Sequence, residues 1–174
     1  MHGKRAGLAL LAAALTLLLS GCFVKTVDEL YTLPRHSDEY DRLELAIDAV
    51  LSGQSAVYSA PVSGPNQQSV QLADLDGDGQ EEAIAFVKAA GDRPLRACIF
   101  SRVDGDYHLT DVIEGDGTSF ASVEYVRLTG QPGIELVIGR QLSTDVLQSL
   151  SAYSYSDGHV ALSLIHTPSP RDRQ

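Results

Sequence analysis

Two cysteines among 174 residues are too few for a disulfide framework. Lysine and arginine together number 13, against 23 aspartates and glutamates. The net charge of −10 excludes a nucleic-acid-binding surface, because contact with phosphates needs clustered cations. His36, His108, His159 and His166 have no cysteine or paired carboxylate at ligand spacing, so neither a zinc site nor a catalytic dyad is expected. No serine sits in a G-x-S-x-G turn. The longest apolar run, Ala6–Leu19, has 14 residues and falls short of the roughly 20 that a membrane-crossing helix needs. With 44% of residues hydrophobic and 21% charged, the chain is neither a disordered polymer nor a multi-spanning membrane protein, and at most one ordinary domain fits.

That short apolar run has a definite setting. Lys4 and Arg5 precede it and Leu19, Ser20, Gly21 and Cys22 follow, the order of a secretory signal peptide. The last four residues resemble a bacterial lipobox, which implies a diacylglycerol on the Cys22 thiol and cleavage after residue 21. Lipidation would leave Cys22 as the mature N-terminus, with acyl chains holding the protein on the membrane at roughly 0.8 kcal/mol per buried methylene. Loss of residues 1–21 also removes Lys4 and Arg5, leaving 11 basic against 23 acidic residues and a net charge of −12. Anionic lipid repels such a chain, so the expected location is the extracytoplasmic face of the cell membrane, reached through the lipid alone.

Residues 22–68 read as the lipidated cysteine, a spacer and a short amphipathic helix. The helix is expected from Ser37 or Asp38, with Leu43, Ile47, Val50 and Leu51 on one face and Gly53 as its stop. Gln54 to Gln68 reads as loop, with Tyr58 as a local anchor, because it is rich in Ser, Gly, Pro and Gln. The tail 167–174 reads as disordered.

Between these segments the chain repeats itself. Residues 69–113 laid over residues 122–166, a shift of 53 without a gap, bring Leu75, Gly77 and Glu82 onto Leu128, Gly130 and Glu135. Asp104 and Gly105 fall on Asp157 and Gly158, and Phe100 meets Tyr153. Each unit reads as four short strands with an Asp-Gly turn before the last. The expected fold is therefore mainly β: two tandem four-stranded antiparallel blade-like sheets, a partial β-propeller. Closed propellers have about 4 to 8 blades. Two blades imply a shortened copy of a longer protein, sheets packed on each other with the helix, or an assembly of chains.

The chemistry is expected in the first turn. Asp74, Asp76 and Asp78 alternate with Leu75 and Gly77, and carboxylates at that spacing in a tight loop converge on one point. Hard oxygens at this density suit calcium. The assigned ligands are the Asp74, Asp76 and Asp78 side chains, the Gln80 carbonyl and the Glu82 carboxylate, with Gly79 allowing the bend. An EF-hand would place glutamate at the twelfth position between helices, but Ala85 stands there and the flanks look like strands. The second unit has Arg127, Thr129 and Gln131 at the aspartate positions and is expected to bind no cation. One structural ion is expected. Cys98 lies in an apolar strand and reads as a buried, inert thiol.

The run from Asp74 to Glu82 and the strand Ala83–Val87 resemble the FG-GAP or VCBS-type repeats of calcium-binding propellers, over residues 69–166. With its lipobox and spacer the chain is similar to lipoproteins carrying such repeats in Clostridia-like bacteria. The resemblance implies calcium in the strand-to-strand loop. The departure from the pattern is Glu82, where aspartate is commoner. The expected function is a non-enzymatic, lipid-anchored binding or scaffold module for a protein or glycan ligand. The competing expectations are a cell-envelope enzyme acting on glycan and a truncated remnant of a longer propeller lipoprotein.

Overall fold

The computed structural model describes residues 38–142 and 148–166, apart from 129 and 131. The signal peptide, Cys22, the spacer up to residue 37 and the tail 167–174 lie outside the described residues.

The chain enters through a helix, α1 (Asp38–Gln54). Asp38, Glu39 and Asp41 in its first turn suit the positive end of the helix dipole, and Leu43 and Ile47, one turn apart, are buried. The helix runs through Gly53. Its stop is Ser55, which takes the left-handed conformation (φ 49°), and the Ala56 N–H closes on the Leu51 carbonyl at 3.0 Å. This is a Schellman end with serine in the place glycine usually fills.

Two antiparallel sheets follow. The first holds β1 (Val57–Tyr58), β2 (Val70–Ala73), β3 (Glu82–Lys88), β4 (Leu95–Val103) and β5 (Asp106–Gly115). β2 to β5 form a meander, and β1 pairs with the same edge of β3 through Val57 opposite Lys88 and Tyr58 opposite Val87. A strand thus lies within a stretch that composition reads as loop, because a two-residue pairing is too short to leave an alternating pattern. The second sheet is the meander β6 (Ser119–Val126), β7 (Glu135–Gln141), β8 (Gln148–Ser156) and β9 (His159–His166). No closed barrel forms among the described residues.

The shift of 53 holds in the backbone. β7 and β8 begin and end 53 residues after β3 and β4. The bulge at Ile99/Phe100 recurs at Ala152/Tyr153, and the left-handed pairs Asp104-Gly105 and Asp157-Gly158 turn the last hairpins. Such residues at positive φ suit the tight turn that right-twisted strands require.

The sheets stack face to face. Ile84, Phe86, Ala97 and Ile99 of the first meet Phe120, Val123, Leu136 and Ile138 of the second in one core. Phe86 and Phe120 meet edge to face, centroids 5.1 Å apart. On the far side of the first sheet, Ala85, Cys98 and Phe100 lie under Leu43 and Ile47 of α1. β3 is therefore covered on both faces, which is why Ala83–Val87 is continuously apolar. The second sheet's outward face lacks this bulk. The equivalents of Phe86, Leu95 and Ile99 are Gly139, Gln148 and Ala152. Within the chain the two sheets pack on each other with the helix laid over one of them.

The connection from β1 to β2 straps the sheets together. Ser59 N–H donates to the Phe86 carbonyl, while Val62 and Ser63 donate to Phe120 and Ala121 on the edge of β6. At the far edges the Val160 amide donates to Asp111 Oδ2 at 2.7 Å, tying β5 to β9.

Candidate metal centre

The turn between β2 and β3 brings Asp74, Asp76 and Asp78 together, each offering a carboxylate oxygen within 4.8 Å of the others. Three negative groups this close repel one another unless donors or a cation face them. The loop's own amides supply part of the compensation. Asp74 accepts from Gly77 N–H at 2.8 Å through one oxygen and from Gly79 N–H at 3.1 Å through the other. Asp76 accepts the Asp78 amide at 3.1 Å, and Asp78 the Gln80 amide at 2.7 Å. These bonds fix the rotamers and leave further lone pairs for a metal ion, so the triad is able to hold one.

The predicted ligands do not all stand alike. Gln80 also donates its side-chain amide to Asp78 at 3.2 Å, and with Asp76, Asp78 and Glu82 it lines a cavity of about 220 Å³. Glu82 is 4% exposed at the start of β3, and its Oε2 accepts the Leu75 N–H at 3.0 Å. Burial, reinforced by Asp76 and Asp78 and offset in part by the backbone bonds, pushes its carboxyl up to about 7. Glu82 thus clasps the mouth of the turn as well as facing the aspartates. The clasp recurs: Glu135, also 4% exposed, accepts the Leu128 N–H at 2.8 Å. Its turn has Arg127 in the place of Asp74, while Thr129 and Gln131 lie outside the described residues.

The acidic loop presses on the neighbouring turn. Gly77 (φ +82°) lies so close that a Cβ there would come within 2.5 Å of the Gly133 nitrogen. A Cβ on Gly133 (φ +89°) would in turn strike the Leu75 carbonyl oxygen and come within 2.8 Å of the Asp76 carbonyl carbon. The Ile134 amide donates to that same Leu75 oxygen at 3.2 Å. Both glycines are needed for conformation and for space. Beyond the loop the cavity is walled by the Tyr155 hydroxyl, 2.6 Å from Ser101 Oγ and 2.9 Å from Thr110 Oγ1. A group on the second sheet is thereby bonded to two on the first.

Cys98 is buried, and burial pushes its thiol up to about 11, which disfavours the reactive thiolate. His159 is exposed, 4.0 Å from Asp111, and His108 is exposed on β5. Tyr125 donates to the Gln71 side chain at 2.7 Å and Tyr155 is buried, so both serve packing between the sheets. Among the described residues no helix is long and apolar enough to cross a membrane. The chain matches no family model, no curated protein and no solved structure.

Proposed function

We propose that the protein is a lipid-anchored extracytoplasmic binding or scaffold module, similar in plan to FG-GAP or VCBS-type repeat lipoproteins, with one structural calcium ion in its first blade. The observation that carries the calcium reading is the convergence of Asp74, Asp76 and Asp78 in a loop whose Gly77 packs on the second sheet's turn. Calcium takes 6–8 oxygens at roughly 2.3–2.6 Å, and three carboxylates with the Gln80 carbonyl, Glu82 and water meet that number. The ion is a staple: by relieving the repulsion it stiffens a loop on which the contact between sheets depends. The reading as a binding module and not an enzyme rests on the neighbouring groups. The hydroxyls of Ser101, Thr110 and Tyr155 bond one another, and the one cysteine among the described residues is a buried thiol.

The anchor rests on the order Lys4-Arg5, Ala6–Leu19, Leu19-Ser20-Gly21-Cys22. Metabolic labelling with a palmitate analogue tests it. Label should enter the membrane-bound protein and vanish in Cys22→Ser; label retained in that variant overturns the anchor. Isothermal titration of the calcium-depleted protein should give one site per chain, lost in Asp76→Ala.

A further inference from the structure

Three apolar-to-polar exchanges between the blades are gathered in one place. The first sheet presents Val87, Cys98 and Phe100 to α1 as an apolar cluster. Their equivalents at the shift of 53, Arg140, Ser151 and Tyr153, each carry a polar group and face the first sheet. The three are bonded together. Arg140 donates through one terminal nitrogen to the Tyr153 hydroxyl at 2.9 Å and through the other to Ser151 Oγ at 3.4 Å, with its guanidinium carbon 5.7 Å from the Tyr153 ring centre.

Arg140 is 5% exposed, and its Nε has no hydrogen-bond partner. Among the described residues it forms no ion pair. It lies against bare backbone, since a Cβ on Gly115 would come within 2.6 Å of its central carbon. A buried charge without a counter-ion is costly, and that cost falls when an anion comes to it. The space for one is there: Arg140, Ser149, Ser151 and Tyr153 line a cavity of about 480 Å³, within the roughly 300–1,000 Å³ range of small-molecule sites.

We infer that this cavity is a binding site for a small hydroxylated monocarboxylate of the uronic-acid kind, held through the free edge of the Arg140 guanidinium. The planar fork pairs with a carboxylate, and the serine and tyrosine hydroxyls suit a ligand with hydroxyl groups of its own. The rim fixes the charge of the ligand. Arg93 and Arg140 face Glu114, which is paired with Arg96 at 3.3 Å, and Asp116, so the lining carries as many carboxylates as arginines. A dianion such as phosphate would meet more repulsion from the rim carboxylates than a monoanion does. The site is independent of the cation at Asp74, and neither depends on the other.

The test is the arginine Nε–H region of the proton–nitrogen NMR spectrum of the mature protein, with the Arg140 cross-peak assigned by its loss in Arg140→Lys. Glucuronate should shift that peak saturably at up to about 10 mM, while glucose and inorganic phosphate leave it in place. Arg140→Lys keeps the charge without the fork and should weaken glucuronate binding about tenfold or more in calorimetry. Should Arg140→Lys misfold, Ser149→Ala, on the cavity wall, should weaken binding while the melting curve stays intact. A peak that ignores glucuronate, that moves equally with glucose, or an affinity unchanged in both variants overturns the site.

Discussion

The Glu135 carboxylate accepts the Leu128 amide at 2.8 Å across a turn with arginine where its counterpart has Asp74. Glu82 makes the same bond to Leu75 at 3.0 Å across the acidic turn. The bond common to both blades holds the turn shut, and the aspartates are an addition to one of them.

Glu82→Ala leaves the buried Leu75 N–H without an acceptor and should cost about 1–3 kcal/mol in urea unfolding of the calcium-free protein. Glu135→Ala removes the same bond from Leu128, which is exposed to water, and should cost less, about 1 kcal/mol. Glu82→Gln keeps an acceptor oxygen and should cost under about 1 kcal/mol in that state, yet weaken calcium binding. Equal losses in Glu82→Ala and Glu82→Gln would show that the clasp is ionic and not a hydrogen bond.

Gly133→Ala should destabilise the fold by about 2 kcal/mol or more, since it forces a side chain into the left-handed region and against the Leu75 carbonyl. Gly79 also has positive φ, but a Cβ there meets nothing within 4 Å, so Gly79→Ala should cost only the conformational part, about 1 kcal/mol. Thermal melting of the two variants checks the order, and a milder Gly133→Ala would mean that the turns are not in contact.

The Glu82 carboxyl titrates near 7 in the folded, calcium-free protein, against an ordinary 4.5. The folded state therefore binds the proton more tightly than the unfolded state. Stability from this group is full below about 4.5 and is lost as pH rises through about 7. In chelator the melting temperature should fall across this window, and in Glu82→Gln that fall should disappear. With calcium present the sign should reverse, because the ion favours the carboxylate.

Tyr155→Phe removes the hydroxyl that joins Ser101 and Thr110 across the sheets. A loss of about 1–2 kcal/mol is expected. Hydrogen exchange should quicken at β8 and β9 before it does at β3 and β4.

The sheets were legible because pattern and turn chemistry agree: the Asp-Gly pairs and the shift of 53 place β3, β4, β7 and β8 to within three residues at either end. The Asp74–Asp78 spacing likewise contains the convergence of the triad, since alternate residues in a glycine-rich turn have few other places to point. Two things were hidden. Glu82 reads as one more ligand, and its bond to Leu75 emerges only when its burial is known. The Arg140 cavity rests on three exchanges, at Val87, Cys98 and Phe100, that are scattered along the chain and adjoin only across strands. Val57 and Tyr58 form a strand through the edge of β3 that they meet, which local composition does not contain.

The central claim is that a divalent ion at Asp74, Asp76 and Asp78 holds the two-sheet module together, and calcium-dependent thermal melting tests it most directly. At calcium about 100-fold above its dissociation constant the gain is about 2.7 kcal/mol, a rise of roughly 5–10 °C over the chelated protein, absent in Asp76→Ala. A melting temperature indifferent to calcium, or an equal rise in Asp76→Ala, would contradict the account.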